Sequence, residues 1–473
     1  MGTPGQRPRE PVVRRPPRAT SERFEVGVER TRGRFRPPSW SLAIVFVVIV
    51  AFGTTLLMLP AASVPDGGAP VMTAIFTATS ATFVTGLVVV DTGTYWTGFG
   101  EGVIFALIQI GGLGYMTGVA FIVLVARKRL SLGQRQVLRI TFGGGVLGRL
   151  DVEARTIILL SLVIQGIGFA VLLARFFFVL DDVGQALWQA LFHAASGFHN
   201  AGFDVTGGAQ SLFEYRRDPW IILPITFLSL TGALGFGVIG ALAFIRRKRE
   251  MILDAKLVLV GTAIIVAIGF FGVLISEWNN TETLGGTPIW TRVLDAFALS
   301  FGGRTSGFST FQTADLAQYT LFLMIALMFI GGASGSMTGG IKVNVFSVLF
   351  FTVWSSIRGR PQTEAFRREI ADSHVRRAVT ITFFSFVWIN MITLVLSLFE
   401  ETDFLGLLFE VVSAFALVGL STGITPELTT FSQTVLIASM FIGRLAPFLI
   451  ALELVQRERR SAYRFAREEV RIG

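Results

Sequence analysis

The stretch Ser80-Ala81-Thr82-Phe83-Val84-Thr85-Gly86-Leu87 sets small and hydroxylated residues around a glycine in the middle of an apolar region. The pattern returns three times. Its central glycines are Gly86, Gly202, Gly307 and Gly419, separated by 116, 105 and 112 residues, a period that reads as four tandem units. Their surroundings are Val84-Thr85-Gly86-Leu87, Asn200-Ala201-Gly202-Phe203, Thr305-Ser306-Gly307-Phe308 and Leu417-Val418-Gly419-Leu420. Each keeps a small or β-branched residue, the glycine, then a bulky apolar residue. A helix-length apolar segment precedes each copy and another follows it.

Outside these copies the composition is that of a membrane protein. Of 473 residues, 52% are hydrophobic and 15% charged, with 44 phenylalanines, and the mean hydropathy is +0.63. Crossing a bilayer takes about 20 apolar residues, and eight runs qualify: 41–60, 102–126, 157–179, 221–244, 257–275, 321–354, 378–398 and 431–454. The sixth is too long for one simple span. No cysteine is present, which excludes a disulfide framework and thiol chemistry. No cleavable signal is expected, because the first apolar run starts near residue 41 and has the length of a span.

The net charge of +9 is unevenly placed. A basic, proline-rich arm covers 1–39 and lacks the apolar periodicity of a folded segment. Further basic clusters are Arg127-Lys128-Arg129 with Arg135 and Arg139, Arg246-Arg247-Lys248-Arg249, the arginines from Arg358 to Arg377, and the tail from Arg457 to Arg471. Each lies between units or at a terminus. By the positive-inside rule they face the cytoplasm, with both termini inside. The outer connections carry acids instead, among them Asp66, Asp91, Asp181, Asp182, Asp204, Glu277, Glu400, Glu401 and Asp403. The expected organisation is an arm over 1–39, units over 40–130, 131–250, 251–360 and 361–456, and a tail over 457–473. Basic runs that flank spans report topology rather than nucleic-acid binding.

Between the two spans of each unit lies a shorter apolar segment, at 71–83, 184–198, 291–301 and 405–416. These are too short to cross and have the length of re-entrant helices. Each runs straight into its glycine. Non-helical backbone at membrane depth survives only where protein buries it or water hydrates it, a condition that four such segments meet by lining one pore. Backbone carbonyls freed from helical bonding can then replace the hydration shell of a cation. One such glycine alone would be read as helix packing, but four at a near-constant period are not. A second glycine series agrees: Gly111, Gly232, Gly331 and Gly443 follow the first by 25, 30, 24 and 24 residues.

These units, their glycine segments, the run Gly331-Gly332-Ala333-Ser334-Gly335-Ser336-Met337-Thr338-Gly339-Gly340-Ile341-Lys342 and Phe441-Ile442-Gly443-Arg444 together resemble the membrane subunit of the Trk/Ktr/HKT potassium transporter superfamily. With only a basic arm before the first span, the chain is more similar to the Ktr-type subunit than to Trk-type chains, which carry extra N-terminal spans. The resemblance covers about residues 40–456. It implies an all-α integral membrane fold of four helix, pore-loop, helix units in pseudo-fourfold arrangement, with eight spans and assembly as a homodimer. It implies potassium uptake at the plasma membrane, with potassium as substrate, no bound cofactor, and a cytosolic ring of nucleotide-binding regulatory subunits of the RCK type. The docking surface for that ring would be the inner basic linkers, while the tail serves either the ring or anionic lipid. Sodium coupling is left open. The selectivity filter it implies comprises Val84, Thr85, Gly86, Asn200, Ala201, Gly202, Thr305, Ser306, Gly307, Leu417, Val418 and Gly419. Ser306 departs from the family's usual alanine, and Met337-Thr338 from its usual threonine and small residue.

Five glycines and three hydroxylated residues between Gly331 and Gly340 disfavour continuous helix, so the sixth run is expected to break there. In the family the equivalent segment is an intramembrane gating loop, which places Gly331, Gly332, Ser334, Gly335, Ser336, Thr338, Gly339 and Gly340 in the gate. Lys342 either anchors that loop or lines the inner vestibule. Arg444 lies inside an apolar run, where a charge costs about 2.5 to 3.5 kcal/mol on insertion scales and marks a functional candidate. Its expected partners are carbonyls of the 331–340 loop. Gly235-Phe236-Gly237-Val238-Ile239-Gly240 matches a dinucleotide fingerprint but sits within a span instead of between strand and helix. His193 and His199 flank the second glycine without a third metal ligand. No nucleophile and base constellation is apparent, and an enzyme is not expected.

Overall fold

The computed structural model describes residues 38–65, 67–125, 150–208, 211–243 and 252–456. Asp66, residues 1–37 of the arm, the clusters at 127–139 and 246–249, and the basic tail lie outside the described residues. In chain order the helices are α1 Pro38–Leu57, α2 Val71–Phe83, α3 Gly98–Val125, α4 Leu150–Val179, α5 Val183–His199, α6 Pro219–Ala243, α7 Leu253–Ser276, α8 Ile289–Ala298, α9 Gln318–Phe329, α10 Val343–Ile357, α11 Asp372–Leu396, α12 Phe404–Ala416 and α13 Thr430–Gln456. Among the described residues a single hairpin, β1 Glu364–Ala365 with β2 Arg368–Glu369, stands between α10 and α11.

The distribution of side chains is inverted relative to a water-soluble protein. The short helices α2, α5, α8 and α12 are central, and the C-terminal turns of α2 and α5 are buried although rich in serine, threonine and histidine. The long helices present isoleucine, leucine and phenylalanine outward. Phe52 of α1, Leu159 of α4, Ile268 and Phe271 of α7, and Phe383 and Phe386 of α11 are all more than half exposed. Apolar surface of this extent is stable only against lipid. Among the described residues four helices are long and apolar enough to cross a bilayer unaided, over 155–179, 219–242, 253–276 and 372–396.

The sixth apolar run divides as its glycines require, into α9 and α10 with 330–342 between them. The third short segment, read from sequence as one helix over 291–301, is different. The α-helix α8 ends at Ala298, continues as a single π-helical turn over Leu299–Gly303 and closes with a short turn over Arg304–Ser306. The adjacent Gly302 and Gly303 lower the resistance to such widening, and π turns concentrate at functional sites. First and last segments meet through aromatic rings: Phe83 of α2 stacks on Phe46 of α1 at 5.2 Å and meets the edge of Phe441 of α13 at 5.4 Å.

Candidate ion-conducting site

Three of the four short helices end in the same device. Val84, Asn200 and Leu417 follow α2, α5 and α12 with φ of 59°, 59° and 56°. At each end the next residue's N–H reaches back five positions, from Thr85 to the Ser80 carbonyl (2.8 Å), Ala201 to Ser196 (2.8 Å) and Val418 to Ser413 (3.0 Å). This is a Schellman closure normally completed by glycine. A β-branched or bulky residue there stores strain of about 1–3 kcal/mol, a condition that collects at functional sites. A serine six residues before the glycine supports each segment. Ser80 and Ser413 Oγ accept the amides of Gly86 and Gly419 at 3.1 Å, and Ser196 Oγ donates to the Phe203 carbonyl at 2.7 Å. The third segment stays helical through Ser306 and turns left-handed only at Gly307 (φ 74°). Ser306 is accounted for locally: its hydroxyl donates to the Gly302 carbonyl (2.6 Å) and accepts from Ser229 (3.1 Å) of α6.

The four glycines close a ring. A β-carbon on Gly86 would come within 2.5 Å of the Ala201 carbonyl oxygen; on Gly202, against Ser306 O; on Gly307, within 2.5 Å of Val418 O; and on Gly419, against Thr85 O. Each glycine therefore abuts the carbonyl of the residue preceding the next glycine, and the cycle returns from the fourth to the first. All four have positive φ, between 69° and 94°. The glycines of the second series seat these segments from behind. At Gly111, Gly232 and Gly443 a β-carbon would overlap the carbonyls of Thr82, Phe198 and Phe415, each four residues before a ring glycine. Gly331, the third of that series, faces Gly339 of its own loop instead.

The 331–340 segment is folded on itself and tied on two sides. Gly331 N–H donates to Ile341 O (2.8 Å) and Ile341 N–H to Phe329 O (3.3 Å), joining its ends. Gly332 N–H donates to Thr338 Oγ1 (2.8 Å), which also bonds Ser336 Oγ (2.8 Å). On one side, Ala333 and Met337 donate to the Ala233 and Gly232 carbonyls of α6 at 2.8 and 3.2 Å. Those carbonyls are free because α6 kinks at Gly235 (φ 73°, ψ 154°), a conformation open to glycine alone. On the other side, Gly339 and Gly340 lie against Ala416 and Leu417 at the end of α12. Arg444, 2% exposed, donates through Nη1 to the Met337 carbonyl, and Lys342 Nζ donates to the Thr338 carbonyl. Most of the loop is buried, whereas Ser334 is exposed.

The family model described as TrkH, cation transport protein, matches residues 40–459. The chain belongs to this family. It is 37% identical to the Ktr system potassium uptake protein B of Bacillus subtilis, over 93% of this chain and 97% of that one. It is 33% identical to the potassium/sodium uptake protein NtpJ of Enterococcus hirae, over 94% and 99%. Among solved structures, the potassium transporter TrkH from Vibrio parahaemolyticus superposes with a TM-score of 0.68 at 19% identity, covering 90% of this chain and 86% of that one. These are membrane cation transport proteins, not enzymes.

In this TrkH-family chain the acids beyond the ring are partly structural. Asp91 caps the turn Thr92–Tyr95 by accepting from Thr94 N–H (3.0 Å), and also accepts from Gly208 N–H (3.2 Å), joining two loops. Asp204 is half-buried and accepts from the Thr206 hydroxyl at 2.9 Å. Burial pushes its carboxyl up to about 6 against that hydrogen bond, with the charges of Asp91 and Glu214 adding to the rise. Asp204 is thus ionised at neutral pH and protonates as the pH falls through about 6; a carboxylate at the entrance of a cation path would concentrate cations there while ionised. Uptake at limiting substrate is expected to fall about twofold or more between external pH 7 and 5, and Asp204→Asn to hold the low value throughout. An unaltered pH profile in that variant would count against the assignment.

The histidines serve packing and hydrogen bonding. His193 Nδ1 meets Gln189 O (2.8 Å), and His199 Nε2 meets Gln109 Oε1 (2.9 Å). Among the described residues no three potential ligands group around a metal. Several site residues escape a reading of the sequence. Glu410, fully buried in α12, accepts from Ser421 and Thr425 hydroxyls (2.8 and 2.6 Å) and from Thr422 N–H (2.8 Å), fastening the stretch that follows Gly419. The supporting serines carry a legible signal, their constant offset from three of the four glycines. Arg304 carries another, a lone charge beside a ring segment.

Proposed function

We propose that this chain is the pore-forming subunit of a potassium uptake system. The observation that supports this most is the ring in which each of Gly86, Gly202, Gly307 and Gly419 abuts the carbonyl before the next. Four same-sense segments meeting this way form a pseudo-fourfold pore within eight spans, and the carbonyls of Thr85, Ala201, Ser306 and Val418 replace the hydration shell of potassium. The 331–340 loop, pinned between α6 and α12 by Arg444 and Lys342, is the gate. The names of the Bacillus and Enterococcus relatives support potassium as the ion and leave sodium dependence to experiment.

An open pore for cations must be controlled, since each charge carried inward gains about 2.3 kcal/mol per 100 mV. The functional unit in this reading is a homodimer in the bacterial inner membrane, both termini cytoplasmic, governed by a cytosolic nucleotide-binding RCK-type ring on the inner linkers 127–149, 246–256 and 358–377. Expression in a bacterium lacking potassium uptake, with and without that partner, tests the reading. Growth at limiting potassium is expected with the pair. Absence of growth with a membrane-inserted pair would contradict it.

A further inference from the structure

Arg304 is fully buried at the end of the third short segment, one residue before Thr305 and three before Gly307. Its Nη1 donates to the Ile330 carbonyl at 3.3 Å, while Nε and Nη2 have no partner among the described residues. A buried guanidinium with a single acceptor is unfavourable in itself. What it meets explains its presence. The helix α9 has only 12 residues, about 18 Å at 1.5 Å per residue, so its C-terminus falls inside the membrane, where its last carbonyls have no water to bond. Ile341 N–H takes the Phe329 carbonyl. Ile330, the cap itself, points its carbonyl to Arg304, and a cation is the side chain that a helix C-terminus favours.

Ile330 is also where the 331–340 loop begins. The cyclic order of the ring brings that loop against α6 and α12, where its ties run through Ala333, Met337, Gly339 and Gly340. Arg304 supplies a tie of a different kind, from a ring segment of the loop's own unit to the loop's first hinge. The π turn over Leu299–Gly303, absent from the other three short helices, immediately precedes Arg304 in the chain.

We propose that Arg304 is a positioning residue that latches the intramembrane loop to the ring segment, holding the loop shut from the filter side as Arg444 holds it from α13. This rests on the reading of the loop as the gate. The chain contains no cysteine, so Ser336→Cys, at a fully buried loop position, provides a reporter in the full-length protein. Its modification by a small cationic thiosulfonate applied from the cytoplasmic side measures loop release, and potassium flux is recorded in the same vesicles. Arg304→Gln is expected to accelerate modification by about tenfold or more, the worth of one hydrogen bond from a charged donor. Arg304→Lys, which keeps the charge, is expected to be accelerated about two- to threefold and decides the matter if the glutamine variant fails to assemble. Modification at the parental rate in an assembled variant, with a shift in potassium-over-sodium selectivity, would overturn the latch and make Arg304 a support of the filter alone. Faster modification without a rise in flux would keep the latch and remove the gate.

Discussion

Alanine at any one of Gly86, Gly202, Gly307 or Gly419 is expected to lower potassium-over-sodium discrimination by about tenfold or more while the protein still reaches the membrane. The added β-carbon would lie no more than 2.5 Å from a carbonyl of the neighbouring segment, and the nearest atoms are backbone at every position. Backbone cannot turn aside as a flexible side chain would, so that carbonyl must move by several tenths of an ångström. A misplacement on the order of 1 Å at a functional centre is worth about 100-fold. The effect is one of position rather than of backbone strain, and a control separates the two. Gly208 has φ of 80° but open space where a β-carbon would go. Gly208→Ala therefore carries the strain without the collision, and its selectivity should stay at the parental value. Parental selectivity in all four ring variants would remove the carbonyls from ion coordination.

Neutralising Arg444 is expected to raise flux several-fold with selectivity unchanged. Its guanidinium donates to the Met337 carbonyl in the middle of the loop, and it is almost completely enclosed. A hydrogen bond to a charged group contributes about 1.5–3 kcal/mol, and about 1.4 kcal/mol is a factor of ten in an equilibrium. Arg444→Gln thus moves the closed loop toward release by roughly 10- to 100-fold, and it also removes a positive charge that opposes cation passage. Arg444→Lys keeps the charge and loses the fork of donors, so a partial rise identifies the latch and parental flux identifies the charge. Because Arg444 bonds the loop at the Met337 carbonyl, the potassium-to-sodium ratio should not follow the flux. Reduced flux in a normally assembled glutamine variant would leave it a structural role only.

Much of this was legible in the sequence because the ring imposes one constraint four times. A glycine is required wherever one segment's carbonyl crowds the next, and that requirement repeats at 86, 202, 307 and 419 as a period. The short helices were legible from length, α2 to the residue and α12 within one, since glycine and a left-handed cap end them sharply. The third was misread because a π turn over Leu299–Gly303 follows α8, and adjacent glycines permit such a turn without marking it in the sequence. The kink at Gly235 was hidden for a similar reason: glycines recur throughout 232–240, and the amides that take the freed carbonyls come from Ala333 and Met337, about a hundred residues later. Asp91 and Asp204 were legible as acids just beyond two of the glycines, while the division of labour between a capping aspartate and a half-buried one depends on loops that only the fold brings together. Arg444 stood out as an isolated charge in an apolar run. Arg304 carried a similar signal, but it stands just past the short segment 291–301, outside the runs long enough to span, where a charge is less conspicuous.

The central claim is that four backbone carbonyls hold a dehydrated cation on the axis of the glycine ring. Anomalous diffraction from crystals of the full-length protein grown with thallium in place of potassium tests it most directly. A peak centred among the carbonyl oxygens of Thr85, Ala201, Ser306 and Val418, lost on exchange into sodium, is the expected result. Thallium bound elsewhere along the pathway with no peak among those four oxygens would contradict it.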